Sequence, residues 1–242
     1  MSMIDSRKYV VHASFVGEGD LLRPASILDL FQDEASIHAN MLHLGYDDLF
    51  KKDMLWVVNY QEIDIVGKLP KYCDEVIVST WPHRKNRLEY VREYDIKDLN
   101  GNLLVSGIAS WFTIKASTRR LVKDDSVDFG DDYYENTNYP EFRRKRFELE
   151  PMGEVIKWDY KVTYTDLDHN VHMNNAKYLD MVYNMQVYPG NKEYKHVEIE
   201  FVHEAKLGEV VTIKHYKEGI YDCYVGFLES EVCFEVRMEM TK

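Results

Sequence analysis

Cysteine is scarce in this sequence, and what there is does not pair by spacing. Cys73, Cys223 and Cys233 make no Cys-x-x-Cys motif and leave one over, which argues against both a disulfide framework and a thiolate metal site. They read as small strand residues. No apolar run is long enough to cross a bilayer, and the stretch from Met1 to Val16 lacks the basic start and apolar centre of a secretory signal. The expectation is a cytoplasmic protein without a membrane span. Positive charge is also short: 30 Lys and Arg face 42 Asp and Glu, a formal charge of -12. That field repels polyanions at long range and argues against nucleic acid as a partner. An anionic partner needs a local basic patch, for which the sequence offers Arg84, Lys85 and Arg87, then Arg119, Arg120 and Lys123, then the run Arg143 to Arg146. Each taken alone reads as solvated surface.

What is present is ordinary for a soluble globular chain: 45% hydrophobic and 30% charged residues in 242, enough for one large core or two small ones. The organisation follows a repeat of about a hundred residues, longer than solenoid periods. In the first half Pro24 suits the first position of a helix with Ile27, Leu28, Phe31, Ala35, His38 and Met41 as its apolar stripe. Strands are expected from Trp56 to Ile65, Glu75 to Trp81, Leu88 to Ile96 and Leu103 to Ile114, the last two joined across Asn100-Gly101. In the second half a helix from Asn174 precedes strands expected from Tyr194 to Val202, Glu209 to Lys217, Tyr221 to Leu228 and Val232 to Met240. Ile27-Leu-Asp-Leu30 matches Tyr178-Leu-Asp-Met181, and Gln61-Glu-Ile-Asp-Ile65 matches Val197-Glu-Ile-Glu-Phe201. The chain is thus read as repeats at residues 1–123 and 154–242, joined by 124–153. That connecting segment begins acidic, breaks at Tyr139-Pro140 and Glu150-Pro151, and turns basic at Arg143.

The densest chemistry lies in Tyr164-Thr-Asp-Leu-Asp-His-Asn-Val-His-Met-Asn-Asn-Ala-Lys-Tyr178. Asp, Asn and His are common in loops because their side chains bond nearby backbone, so any one of them reads as a turn residue. Asp168, Asn170 and His172, however, sit at alternate positions and would share one side of an extended chain. The run ends at a helix whose apolar residues are Ala176, Leu179, Val182, Tyr183 and Met185, with Asn174 or Asn175 as N-cap. A helix start presents unpaired N–H groups that can hold a carbonyl oxygen as it becomes negative. In the register of the matched helices, Asp168, Asn170 and His172 fall opposite Gly17, Gly19 and Leu21, so the first repeat lacks the polar set. Asp166, Asp168, His169 and His172 are metal-ligand types, but their spacing fits no common zinc pattern. No metal and no cofactor is expected.

A helix and an antiparallel sheet, duplicated in one chain, resemble a double hotdog protein. Met54-Leu-Trp-Val-Val-Asn59, Ala109-Ser-Trp-Phe-Thr113 with Thr118-Arg-Arg-Leu121, and above all Asp166 to Tyr178 narrow the resemblance to the acyl-acyl-carrier-protein thioesterases. The resemblance covers nearly the whole chain. It implies an α+β tandem hotdog, two long helices each wrapped by antiparallel sheet, acting as a thioester hydrolase on fatty acyl-acyl carrier protein. The partner it implies is acyl carrier protein with a phosphopantetheine-linked acyl chain; a homo-oligomer is allowed.

Carried over by position, the family's Asp-x-Asn-x-His triple falls on Asp168, Asn170 and His172, and a strand glutamate after the second helix falls on Glu204. Some members have a cysteine directly after that glutamate, where this chain has Ala205. The resemblance then implies water attack: Asp168 as leading activator of water, His172 as proton carrier, Glu204 orienting His172 or sharing the base role, and Asn170 placing water or carbonyl. Which carboxylate is the base stays open, as do acyl chain length and branching. His169 lies out of phase with the triple, and His203 is expected on the opposite strand face from Glu204. Both read as structural. An acyl-CoA thioesterase of the same fold and a non-catalytic acyl-binding protein are the alternatives.

Overall fold

The computed structural model describes residues 3–83, 87–123, 127–129, 133–142, 153–185 and 194–240. The chain divides into two compact units, one of Met1–Leu22 and Asp29–Arg144, the other of Arg23–Leu28 and Lys145–Lys242. Among the described residues no helix is long and apolar enough to cross a membrane.

The first unit contains β1 (Asp5–Val10), most of α1 (Pro24–Met41), α2 (Tyr46–Phe50), β2 (Met54–Ile65), β3 (Glu75–Pro82), β4 (Tyr90–Asp98) and β5 (Leu103–Lys115). Its strands pair antiparallel in the order β1-β3-β4-β5-β2. Pro24 opens α1, where its missing N–H costs no hydrogen bond. The helix buries Leu30, Phe31 and Ala35, and Phe31 stacks on Tyr94 of β4 at 4.6 Å between ring centres. Gly107 of β5 makes this approach possible, since a Cβ there would meet the Phe31 ring at 2.4 Å. Burying an aromatic side chain of this kind contributes roughly 1.5–3 kcal/mol. The expected apolar stripe needs one correction: Met41 is 39% exposed, because the buried face ends a turn earlier. His38, counted in the stripe, is buried against Arg92, whose Nη1 stands 3.1 Å from its Nδ1.

Alternation along β4 turns Arg92 and Tyr94 toward α1 and Glu93 to the other face. There the connecting segment crosses the sheet without helix or strand among its described residues. Tyr134 meets Trp81 of β3 edge-on at 5.3 Å. Thr137 Oγ1 and the Asn138 N–H donate to the carboxylate of Glu93, the latter at 2.7 Å. Tyr139 donates to Asp64 of β2 at 2.8 Å, and Phe142 packs on Tyr60 at 5.9 Å. The segment lacks periodicity because it follows neither a helix nor a strand; it is fixed by polar tips and aromatic faces in turn. Burial and the charge of Asp64 push the Tyr139 phenol upward, which keeps it a donor.

The second unit contains β6 (Ile156–Lys161), α3 (Asn175–Asn184), β7 (Tyr194–Phe201), β8 (Val210–Glu218), β9 (Tyr221–Leu228) and β10 (Glu231–Met240), with antiparallel order β6-β8-β9-β10-β7. Counted from each unit's first strand, the two orders are the same. The match extends to single bonds. Gly17 N–H to Leu21 O at 2.9 Å repeats as Asp168 N–H to His172 O at 2.8 Å, and Leu22 N–H to Pro70 O repeats as Met173 N–H to Ala205 O. Tyr178 of α3 packs edge-on against Phe201 and Phe234 at 5.5 and 5.1 Å.

All eight expected strands are present with ends within two residues of expectation. β1, β6 and α2 were not expected. β1 and β6 end their sheet orders in each unit and bury none of their residues, so they carry charge where a core strand carries a run of apolar residues. Cys223 and Cys233 are buried strand residues as expected, whereas Cys73 is an exposed turn residue with a left-handed backbone, φ +70°.

Candidate active site

Thr163 and Asp166 build the entrance to the polar motif. The Thr163 N–H and hydroxyl donate to Asp166 Oδ2 at 2.7 and 2.8 Å, and Tyr160 donates to Oδ1 at 2.9 Å. Asp166 is buried and caps the 3-10 turn Tyr164–Asp166. Its carboxylate is thus fully committed to structure. Burial and this bond push the Tyr160 phenol up to about 12.

The next residues form a turn, not the extended chain expected from their alternation. Asp168 N–H donates to His172 O at 2.8 Å, and Val171 N–H to Asp168 O at 3.1 Å. Asp168 Oδ1 accepts the N–H groups of Asn170 and His172 at 2.8 and 3.4 Å. The reason for the difference is local: an aspartate carboxylate satisfies N–H groups two residues on more readily than a lone extended segment can. The turn passes directly into α3, where Asn174 is the N-cap and its Oδ1 accepts Ala176 N–H at 2.8 Å. Asn174 N–H is held by Asp166 O and Lys177 N–H by Asn174 O, at 2.8 and 2.9 Å. Three of the N–H groups near the cap are therefore already engaged.

His172 and Glu204 converge from separate segments. His172 Nε2 lies 3.5 Å from Glu204 Oε2, with the side chains 20% and 45% exposed. His172 Nδ1 is buried and meets no hydrogen-bond partner among the described residues. β7 ends at Phe201, so Glu204 sits in the turn after that strand, where it was expected on the strand itself. The turn is fixed from both sides, Ala205 O accepting Met173 N–H at 2.9 Å and Ala205 N–H donating to the Tyr178 hydroxyl at 3.0 Å. His203 Nδ1 lies 2.7 Å from Val232 O. His203 lies beyond the end of β7 at Phe201, so this contact, and not strand alternation, sets its direction. His169 is exposed.

Cys233 is the nearest thiol. It lies 3.1 Å from His203 O and 4.0 Å from the Tyr178 hydroxyl, and burial pushes it up to about 12. Burial also raises Tyr178, with the Cys233 charge next in effect. Neither group supplies a nucleophile near neutral pH. No three of Asp166, Asp168, His169 and His172 bring ligand atoms together at one point.

The arrangement can do three things: shuttle a proton through a reachable imidazole beside a carboxylate, hold a second carboxylate on a rigid turn, and present an N–H at a helix start. Sequence reasoning did not single out the Tyr178 support or the Thr163 cap. Thr163-x-x-Asp166 was legible as a capping pattern. The Tyr178 contact depends on a residue far along the chain and carries no local signal.

The family sequence model described as acyl-ACP thioesterase N-terminal domain matches residues 4–129, and the one described as acyl-ACP thioesterase C-terminal domain matches residues 149–235. An acyl-[acyl-carrier-protein] hydrolase, chloroplastic, of Cuphea viscosissima is 27% identical over 168 residues, covering 64% of this chain and 40% of that protein. Oleoyl-acyl carrier protein thioesterase 2, chloroplastic, of Arabidopsis thaliana is 26% identical over 97% of this chain and 65% of its own length. The chain spans about two fifths of the length of several curated relatives it matches. The crystal structure of an acyl-ACP thioesterase from Bacteroides thetaiotaomicron superposes with a TM-score of 0.86 at 19% identity, covering 99% of this chain and 98% of that one. At that identity the likeness shows the fold, a hotdog-like antiparallel sheet with few helices.

Proposed function

This chain belongs to the acyl-ACP thioesterase family, and on that premise we propose that it hydrolyses the thioester of fatty acyl-acyl carrier protein and releases free fatty acid. The observation that carries the proposal is the 3.5 Å approach of His172 to Glu204 beside the turn held by Asp168. Asp168 takes a proton from water, whose oxygen attacks the thioester carbonyl. Asn170 places the water, and the N–H of Asn175 receives the oxyanion. Collapse breaks the carbon–sulfur bond, and His172, its charge balanced by Glu204, protonates the departing thiolate. Ala205 leaves no thiol for a covalent route at the position next to Glu204.

The wider reading is a double hotdog of two long helices each wrapped by antiparallel sheet, with repeats at 1–123 and 154–242 and a connection at 124–153. We place the enzyme in the cytoplasm with acyl carrier protein as partner. Docking is assigned to the basic clusters at Arg84, Lys85 and Arg87 and at Arg143 to Arg146; apart from Arg87 these lie outside the described residues. Purified protein assayed on a panel of acyl-carrier and acyl-CoA thioesters tests the proposal. Faster turnover of carrier substrates supports it, faster turnover of CoA substrates reassigns the donor, and a stable acyl complex without hydrolysis rejects catalysis.

A further inference from the structure

Val171 lies between Asn170 and His172 with φ +65°. Among the described residues it is the only β-branched residue with a left-handed backbone, and a side chain branched at Cβ is strained there. The fold asks for that backbone but not for valine. In the first unit the matching turn closes by Gly17 N–H to Leu21 O and Asp20 N–H to Gly17 O, and Asp20 takes the left-handed position at φ +60°. Aspartate tolerates this conformation far better. The turn's hydrogen bonds hold that backbone whichever residue stands there, and the valine side chain gains little burial in return, being 66% exposed. The His172–Lys206 bridge sets another exposed apolar residue, Leu207, one position further along.

We infer that the methyl groups of Val171 pack against the uncharged pantetheine arm of a bound thioester as it passes His172. This rests on the thioesterase reading of the same site. Strain without burial in the free state is offset when the methyls leave water in the complex. Asparagine at the position fits the left-handed backbone and offers no methyl; threonine keeps the branching and replaces one methyl by a hydroxyl.

The test uses Val171→Asn and Val171→Thr with a non-hydrolysable thioether analogue of an acyl-pantetheine, read by titration calorimetry, alongside turnover of the thioester and thermal midpoints. Val171→Asn is expected to melt higher than wild type while the analogue's Kd and the substrate's KM rise about fivefold or more, with a smaller change in kcat. Val171→Thr is expected to weaken the analogue without the gain in midpoint. Wild-type affinity in both variants overturns the contact, and a loss confined to kcat overturns it in favour of a turn that merely positions His172. A wild-type protein that hydrolyses and binds while the variants bind equally well sinks this inference alone. One that neither binds nor hydrolyses sinks the thioesterase reading with it.

Discussion

The Tyr178 hydroxyl accepts the backbone N–H of Ala205 at 3.0 Å and so ties the turn carrying Glu204 to the helix that begins beside His172. Both residues are buried, Ala205 completely. Tyr178→Phe leaves that N–H without its acceptor, which costs about 1–3 kcal/mol. It also frees the Glu204 carboxylate from its place opposite His172. Urea unfolding should show the loss of stability, and steady-state assays a reduced kcat. A variant with wild-type kcat would show that Glu204 does not depend on this support.

Asp168 holds its turn and, in the proposed mechanism, takes the proton from water, and one substitution separates the two. Its Oδ1 accepts the N–H groups of Asn170 and His172, and an asparagine carbonyl can still do so. Asp168→Asn should therefore keep stability within about 1 kcal/mol of wild type while turnover falls on the order of a hundredfold or more. Asp168→Ala should lose both. His172→Ala and Asn170→Ala are expected to match the loss of turnover with the fold intact. Near-normal rates in two of Asp168→Asn, His172→Ala and Asn170→Ala would remove the assignment.

The strands were legible because their apolar runs are bounded by turn signals such as Asn100-Gly101, and the duplication because Ile27 to Leu30 and Tyr178 to Met181 are alike. The charged edge strands β1 and β6 carried no such runs. At the site, residue types pointed to Asp168, Asn170 and His172, yet alternation gave the wrong backbone: the Asp168 carboxylate closes a turn that a period-two pattern cannot represent. Glu204 came from family likeness alone. Its neighbourhood is made by Ala205 meeting Tyr178, a pairing of residues with no shared periodicity.

The three thiols should separate by exposure. Cys73 is exposed, whereas burial pushes Cys223 up to about 11 and Cys233 up to about 12, so both stay protonated near neutral pH. Native alkylation should add one label, at Cys73, without loss of turnover, and intact-mass and peptide analysis would locate it. Inactivation in step with labelling of Cys233, with the fold retained, would restore a thiol mechanism.

Glu34 gives the first unit a pH dependence. Its carboxyl is 0% exposed on α1, and burial is the main cause of a pKa raised from 4.5 to about 7. The nearby Asp5 charge adds to the rise, while the hydrogen bond from Tyr9, at 2.8 Å, and the charge of Arg7 oppose it. A folded-state pKa above the unfolded one means that the folded protein binds the proton more tightly. The stability contributed by the neutral acid is then complete below pH 4.5 and is lost as pH rises through about 7. The loss across that window is on the order of 3 kcal/mol. Glu34→Gln keeps a neutral acceptor for Tyr9 and removes the titration. Urea unfolding of wild type and variant at intervals from mildly acidic to mildly alkaline pH should show the variant gaining on wild type as pH increases. Parallel profiles would mean that Glu34 is already ionised in the fold, balanced by the Arg7 guanidinium whose Nε lies 3.5 Å from its Oε1.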